Sequence, residues 1–174
     1  MRGNNSSFIR IGDAIKSFVI VPDTERTYVS HYVNIDGKNQ KRNCHCNATC
    51  PYCLNGTSTF KGVYAIALAE GGQLGFIDLK PGLIKQLSIT AAKEGVSLGV
   101  FLNKRLLGVS REIKNHYTEY QINSTILTDA DHDALMRSIY EGKNSDTMMK
   151  LMEKLETLVV PGSEREDGGF DNQN

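Results

Sequence analysis

The sequence predicts a mainly β fold with helices, an α+β chain whose strands come first and whose helices gather towards the C-terminal end. Three observations carry this. Up to residue 127, runs that alternate apolar and polar residues sit between Gly, Pro and Asp breakers, the period of strands with one buried face. From residue 128 the pattern switches to the 3.6-residue period of helices. All four cysteines, Cys44, Cys46, Cys50 and Cys53, fall within ten residues, which marks a local knot rather than a disulfide-laced domain.

Taken in order, residues 15–21 form a β-branched strand ended by Pro22-Asp23, and residues 27–35 alternate until Asp36-Gly37 turns them. These two are expected to pair as a hairpin. The Asp-Gly turn leads through Lys38, Lys41 and Arg42 into the cysteines, so the knot reads as an insertion growing from a sheet edge. Residues 63–68 and 74–79 flank Glu70-Gly71-Gly72 and predict a second strand pair. Pro81 suits the first turn of a helix whose apolar face is Leu83, Ile84, Leu87 and Ala91 and which Gly95 ends. A short apolar segment, 96–100, precedes a final hairpin of residues 106–113 and 117–122 across Lys114-Asn115-His116. Short strands, one helix among the later ones and a long elaborated loop fit a small β-barrel of the oligonucleotide-binding kind, with a sandwich or another α+β arrangement as alternatives.

Thr128 can cap a helix running through Leu135, Met136 and Ile139 to Tyr140, with Gly142 as its stop. A second helix from Ser145 carries Met148, Met149, Met152, Leu155 and Leu158, a stripe expected to pack on the barrel or on a partner helix. Beyond Pro161 the chain has too little apolar content to fold and reads as a disordered acidic arm. The expected organisation is therefore a core over 1–127 with the knot at 31–53, a helical extension over 128–160 and a tail over 161–174.

Cys50-Pro51-Tyr52-Cys53 offers two thiols from a tight turn, with Cys44 and Cys46 just upstream and His31 and His45 close by. Thiolates and imidazole in a group of four are the tetrahedral set that zinc takes, so one Zn2+ is expected. Two disulfides would suit a secreted chain, but no apolar stretch at the N-terminus resembles a signal peptide. Cys-Pro-Tyr-Cys is also a glutaredoxin dithiol sequence, yet Leu54-Asn55-Gly56 after it reads as a turn, not as the helix that activates such a thiol. Reduced cysteines and the lack of any membrane-length apolar run predict a soluble intracellular protein without a membrane partner.

The net charge of zero hides a division. Residues 1–127 carry 15 Lys and Arg against 9 Asp and Glu, and residues 128–174 carry 5 against 11. A basic body suits a polyanion, and an acidic tail suits an interaction arm. In the body, cations interleave with aromatics: Tyr28 and Tyr32 with Lys38, Lys41 and Arg42; Phe60 and Lys61 with Tyr64; Lys104 and Arg105 with Arg111, Lys114, Tyr117 and Tyr120. Cations track phosphates while ring faces stack on exposed bases, so these residues are the expected contacts to single-stranded nucleic acid. Alternation along strands places about half of such rings in the core, Phe18 and Phe76 among them.

The order of these parts resembles the zinc-containing single-stranded DNA-binding proteins of tailed bacteriophages. The likeness covers about residues 10–125 and rests on the opening β-branched strand, the His31-Tyr32 strand, the cysteine knot, the aliphatic hairpin, the helix and the late strand from Arg111 to Ile122. It implies an oligonucleotide-binding barrel that coats single-stranded DNA in replication, recombination and repair, with an acidic tail that recruits other replication or recombination proteins. It would place the protein in the host cytoplasm. Relatives often hold zinc with one His some twelve residues ahead of the first of three cysteines, the relation His31 bears to Cys44, with Cys50 and Cys53 completing the set. Cys46 departs from that pattern, and either replaces His31 or is a spare thiol. Phe170 stands inside the tail, not at its end.

No catalytic motif is apparent, and the chain reads as a non-enzyme. Asp129, Asp131 and Asp133 surround His132, but carboxylates in a first helical turn meet the helix dipole favourably. The rival to DNA coating is a zinc-ribbon module that binds protein or RNA in transcription or virion assembly; a thiol oxidoreductase ranks third.

Overall fold

Strand β4 (Thr59–Ala69) organises the computed structural model of the protein, which describes residues 7–162. Its backbone is paired along both edges. One edge meets β5 (Leu74–Leu79) antiparallel across the Glu70-Gly71-Gly72 turn, as the sequence reading expects. The other edge meets β1 (Lys16–Ile20) and then β2 (Arg26–Ile35), end to end. These two do not pair as a hairpin. Ile20 lies opposite Ala67 and Arg26 opposite Tyr64, so residues 21–25 face only Ala65 and Ile66. Pro22-Asp23, with Asp23 at φ 66°, makes a bulge that bends one long strand where the sequence suggested a reversal. Buried Thr24 stitches the bulge: its hydroxyl donates to the Val21 carbonyl at 2.8 Å, and the Ile66 N–H donates to it at 3.0 Å.

Asp36 and Gly37, at φ 54° and 80°, both take the left-handed conformation that a two-residue hairpin turn demands. The turn delivers β3 (Lys38–Asn43), a strand with no apolar residue, along the outer edge of β2. Strand β6 (Arg105–Ile113) pairs with the free edge of β1, and β7 (Thr118–Ile126) pairs with β6. The result is one seven-stranded, mostly antiparallel sheet. β5 and β7 do not pair, so the sheet stays open where a closed barrel was expected. The N-terminal segment bridges β5 and β6 beside that seam: the Ile9 N–H donates to the Phe76 carbonyl and the Phe76 N–H to the Ser7 carbonyl, both at 2.7 Å, while the Arg111 N–H donates to the Gly12 carbonyl at 2.6 Å.

Both faces of the sheet are covered, which the alternation in β4 already encodes. Ala65, Ala67 and Ala69 join Phe18, Ile20, Ile77, Leu107 and Val109 under helix α2 (Pro81–Lys93; α1 is the single turn Pro51–Leu54), which inserts Leu83, Leu87 and Ala91. Tyr64 and Ile66 face the other way and join Tyr28 and Phe76. Two C-terminal helices, over Asp129–Tyr140 and Ser145–Leu158, close that face with Ile139 and with Met148, Leu151, Leu155 and Leu158. Each large side chain buried here contributes about 1.5–3 kcal/mol, so the extension is bound to the core as firmly as α2 is. Met149 of the expected stripe points to solvent instead. The apolar segment before β6 forms a short helix, Leu98–Leu102, capped by the Ser97 hydroxyl, which accepts from the Val100 N–H at 3.3 Å. The protein is thus a mixed α/β chain with an open sheet between two helical layers. No helix among the described residues is long and apolar enough to cross a membrane. The acidic tail expected over 161–174 lies outside the described residues from 163 onwards.

Candidate functional site

The knot leaves the sheet at the end of β3, where the Cys44 N–H donates to the Val29 carbonyl at 2.9 Å. Cys46 then takes φ 58°, and the Asn47 side chain accepts from both the N–H and the hydroxyl of Thr49. This tight path returns Cys50 towards Cys44. Pro51 opens a single helical turn, Pro51–Leu54, suited to its fixed φ, and the turn brings Cys53 beside Cys50.

The ligand atoms of His31, Cys44, Cys50 and Cys53 lie within 4.8 Å of one another. The Sγ atoms of Cys50 and Cys53 are 3.8 and 3.6 Å from that of Cys44, and 3.7 and 3.6 Å from His31 Nε2. These spacings fit a metal ion. Tetrahedral bonds of about 2.3 Å to zinc hold sulfurs about 3.8 Å apart, whereas a disulfide needs about 2.05 Å. All four cysteines are free thiols. His31 Nδ1 sits 3.1 Å from the Ser58 carbonyl, which can only accept, so Nδ1 carries the proton and Nε2 offers its lone pair to the cluster. The Cys46 N–H donates to Cys44 Sγ at 3.3 Å, a bond that steadies a thiolate.

This geometry separates the two candidates for the fourth ligand. His31 is buried inside the cluster, whereas the exposed Cys46 sends its sulfur towards the Cys44 carbonyl and stays outside it. The φ of Cys46 turns its side chain away while its N–H turns in. His45 also stays outside, between Tyr52 and Gly162. Burial raises the Cys50 thiol, but N–H donors from His45, Cys53 and Tyr52 outweigh it and draw the group down to about 6. Cys53, hydrogen-bonded to Cys44 and then desolvated, is pushed up to about 11.

The cations and rings expected to meet nucleic acid divide sharply. Tyr28, Tyr64, Lys41 and Arg105 are buried and leave the candidate surface. Lys41 donates to Asp78 Oδ2 at 2.6 Å and to the Tyr28 hydroxyl at 3.1 Å, with its ammonium 4.4 Å from the Tyr28 ring centre. Tyr28 stacks on Tyr64 at 4.3 Å and fills the space over Gly62, where a Cβ would collide with its ring. Arg105 pairs with Glu94 at 2.8 Å and lies over the Phe101 ring. Lys104 turns outward to Asp129 at 2.8 Å. Lys114 bridges to Glu112 at the tip of the β6–β7 hairpin beside exposed Tyr117. Lys38 and Lys61 are exposed on β3 and β4, and Arg42 donates to Gln40 at 2.6 Å.

Four of the expected residues come together on one surface. Tyr32 and Phe60 stack at 4.5 Å and 16°, half-buried, next to Ser58 and Pro81. Arg111 and Tyr120, cross-strand neighbours on β6 and β7, line a cleft of about 220 Å³ at the open seam with Arg10, Lys80 and Asp78. Lys80 and Pro81 join the two parts, and Gly82 lies against the Tyr120 ring. Burial raises the Tyr120 hydroxyl, so the ring stays neutral at physiological pH. Arg10 and Lys80 went unnoticed in the sequence because the path of the N-terminal segment places Arg10 there and the β5–α2 junction places Lys80.

No protein-family model, no curated protein and no solved structure matches this chain.

Proposed function

We propose that the protein is a non-enzymatic, zinc-containing single-stranded DNA-binding protein, of the kind phages use in replication, recombination and repair. One observation carries this reading. A stacked aromatic pair, Tyr32 and Phe60, runs through Lys80-Pro81 into a cleft lined by Tyr120 and three cations, Arg10, Lys80 and Arg111. Rings that stack on bases beside cations that meet phosphates are what sequence-tolerant binding of a single strand requires. The connectivity supports an oligonucleotide-binding barrel, a partly open fold: a bent first strand made of β1 and β2, β4 and β5 next, helix α2, then β6 back against β1 and β7 beside it. In that reading the knot and the β6–β7 hairpin are the two walls of the binding channel. Zinc, held by His31, Cys44, Cys50 and Cys53, supplies a structural crosslink that stiffens the first wall. The acidic residues beyond 162 are the arm we assign to partner proteins.

Fluorescence titration with single- and double-stranded oligonucleotides of one length, across salt, tests this. Single strands should bind tighter, with affinity falling steeply as salt rises. Equal affinity for duplex sinks the reading. Metal analysis of protein purified without added zinc should give one equivalent per chain, and less than half an equivalent counts against the metal.

A second reading, a metal-knot module that binds protein, draws on a different surface. Ile20, Ile84, Leu98 and Val100 line an apolar groove of about 620 Å³ whose charged residues, Asp23 and Glu25, are both acidic. A phosphate backbone would be repelled there, whereas a protein partner would not.

A further inference from the structure

We propose that the seam cleft reads one base of the bound strand and favours cytosine over thymine there, through the Asp78 carboxylate. This rests on the single-strand reading above and deepens it. A channel that only followed phosphates would gain nothing from a carboxylate, yet Asp78 lines the cleft among Arg10, Lys80 and Arg111. It is also fixed in place. Its Oδ1 accepts from the Tyr28 hydroxyl at 2.7 Å and its Oδ2 from Lys41 Nζ at 2.6 Å, both donors being fully buried behind it.

Those two bonds do not exhaust the group. An ionised carboxylate has about four lone-pair sites, and the Asp78 side chain, 7% exposed, makes no other hydrogen bond or ion pair among the described residues. The spare sites belong to a rigid acceptor that cannot donate. Tyr120 lines the same cleft, half-buried and packed against the core under α2, and the cavity of about 220 Å³ suits one ring system rather than a larger ligand. A base held there presents its polar edge to Asp78. Cytosine offers the N4 amine, a donor at the corner of its edge that pairs with a carboxylate, while thymine offers O4 at the same place, and its one donor, N3–H, is flanked by two carbonyl oxygens that repel the carboxylate. Other positions along Tyr32 and Phe60 have no such group and stay indifferent.

The experiment uses the full chain at pH 8, where cytosine is neutral, with oligo(dC), oligo(dT) and oligo(dU) of equal length. Oligo(dC) should bind about tenfold tighter than oligo(dT). Oligo(dU) should follow oligo(dT), since the methyl group is not the cause. Equal affinities, or a preference for oligo(dT), overturn the proposal. If none of the three binds, the single-strand reading itself fails, which is a different result. Asp78→Asn should bring the dC-to-dT ratio to about one or below while binding persists. Should that variant lose its fold because Lys41 is left unpaired, the double variant Lys41→Met with Asp78→Asn removes both charges together and serves instead. A ratio unchanged in a folded variant overturns the proposal. Arg111→Ala should weaken all three homopolymers alike, and loss of the ratio there would move the discrimination away from Asp78 and defeat it.

Discussion

Lys41 and Arg111 are both cations on strands of one sheet; Lys41 is paired with Asp78, while Arg111 only shares a cleft lining with it. Lys41 lies inside, with no exposed surface, tied to the carboxylate and surrounded by the rings of Tyr28, Tyr64 and Phe60. Arg111 lies at the seam, on the wall of an open cleft. The same charge therefore serves two ends. Buried, it must be neutralised by the protein itself, and the fold depends on the match; half-exposed, it is available to an anion arriving from solvent.

The largest effect should come from breaking the interior pair. Lys41→Ala leaves the Asp78 carboxylate buried without its partner and should cost about 3–5 kcal/mol. Thermal melting should show a fall of roughly 10 °C. A fall no larger than that of a surface variant would erase the distinction between the two cations. The candidate metal cluster gives a second, pH-dependent contrast, because its ligands would be balanced by an ion rather than by each other. Cys53, held up at about 11, must lose its proton to bind zinc, and acid therefore competes with the metal. Zinc affinity should fall by about tenfold per pH unit for each proton displaced between pH 8 and pH 6, as a competition titration with a chelator would show. Flat affinity over that range would mean that the thiols are not the ligands.

On the cleft side, Tyr32→Ala should weaken single-strand binding by about 1–3 kcal/mol with little change in melting temperature. Stability loss that matched the binding loss would show this ring to be core. The smallest effect is expected at Lys104, whose ammonium makes an exposed bridge to Asp129. Lys104→Ala should leave both melting and binding near the parent values, and a clear binding loss would extend the DNA path past β6.

Burial is what a linear reading could not supply. Alternation marks a strand and its two faces, and Tyr28, Tyr32, Phe60 and Tyr64 obey it, but which face a helix covers depends on chain 80 or more residues away. β3 passed unread for the same reason. Its six residues are all polar, and only pairing with β2 makes Lys41 an interior residue. The hairpin expected from Pro22-Asp23 failed because those residues signal a break in pairing without saying whether the chain reverses or bends. By contrast, the helix from Pro81, the β4–β5 and β6–β7 pairs and the Thr128 cap follow from local chemistry, and the structure has them where the sequence places them. The cysteine knot lies between these cases. Spacing brings Cys44, Cys50 and Cys53 together, while the choice of His31 over Cys46 needed the left-handed turn at Cys46, which no composition rule reveals.

The end of the last helix is tied to the knot: the Asn43 side-chain amide donates to the carbonyls of Leu158 and Val160, 115 and 117 residues further on, and the Gly162 N–H donates to the Cys44 carbonyl. Contacts so distant along the chain are closed late, because loop-closure entropy must be overcome first. On a ribosome that makes the chain from its N-terminus, the cysteines emerge long before the residues that cover them. The thiols of the knot are thus open to solvent until the last helix docks, and a metal ion can reach them before the fold shuts over them.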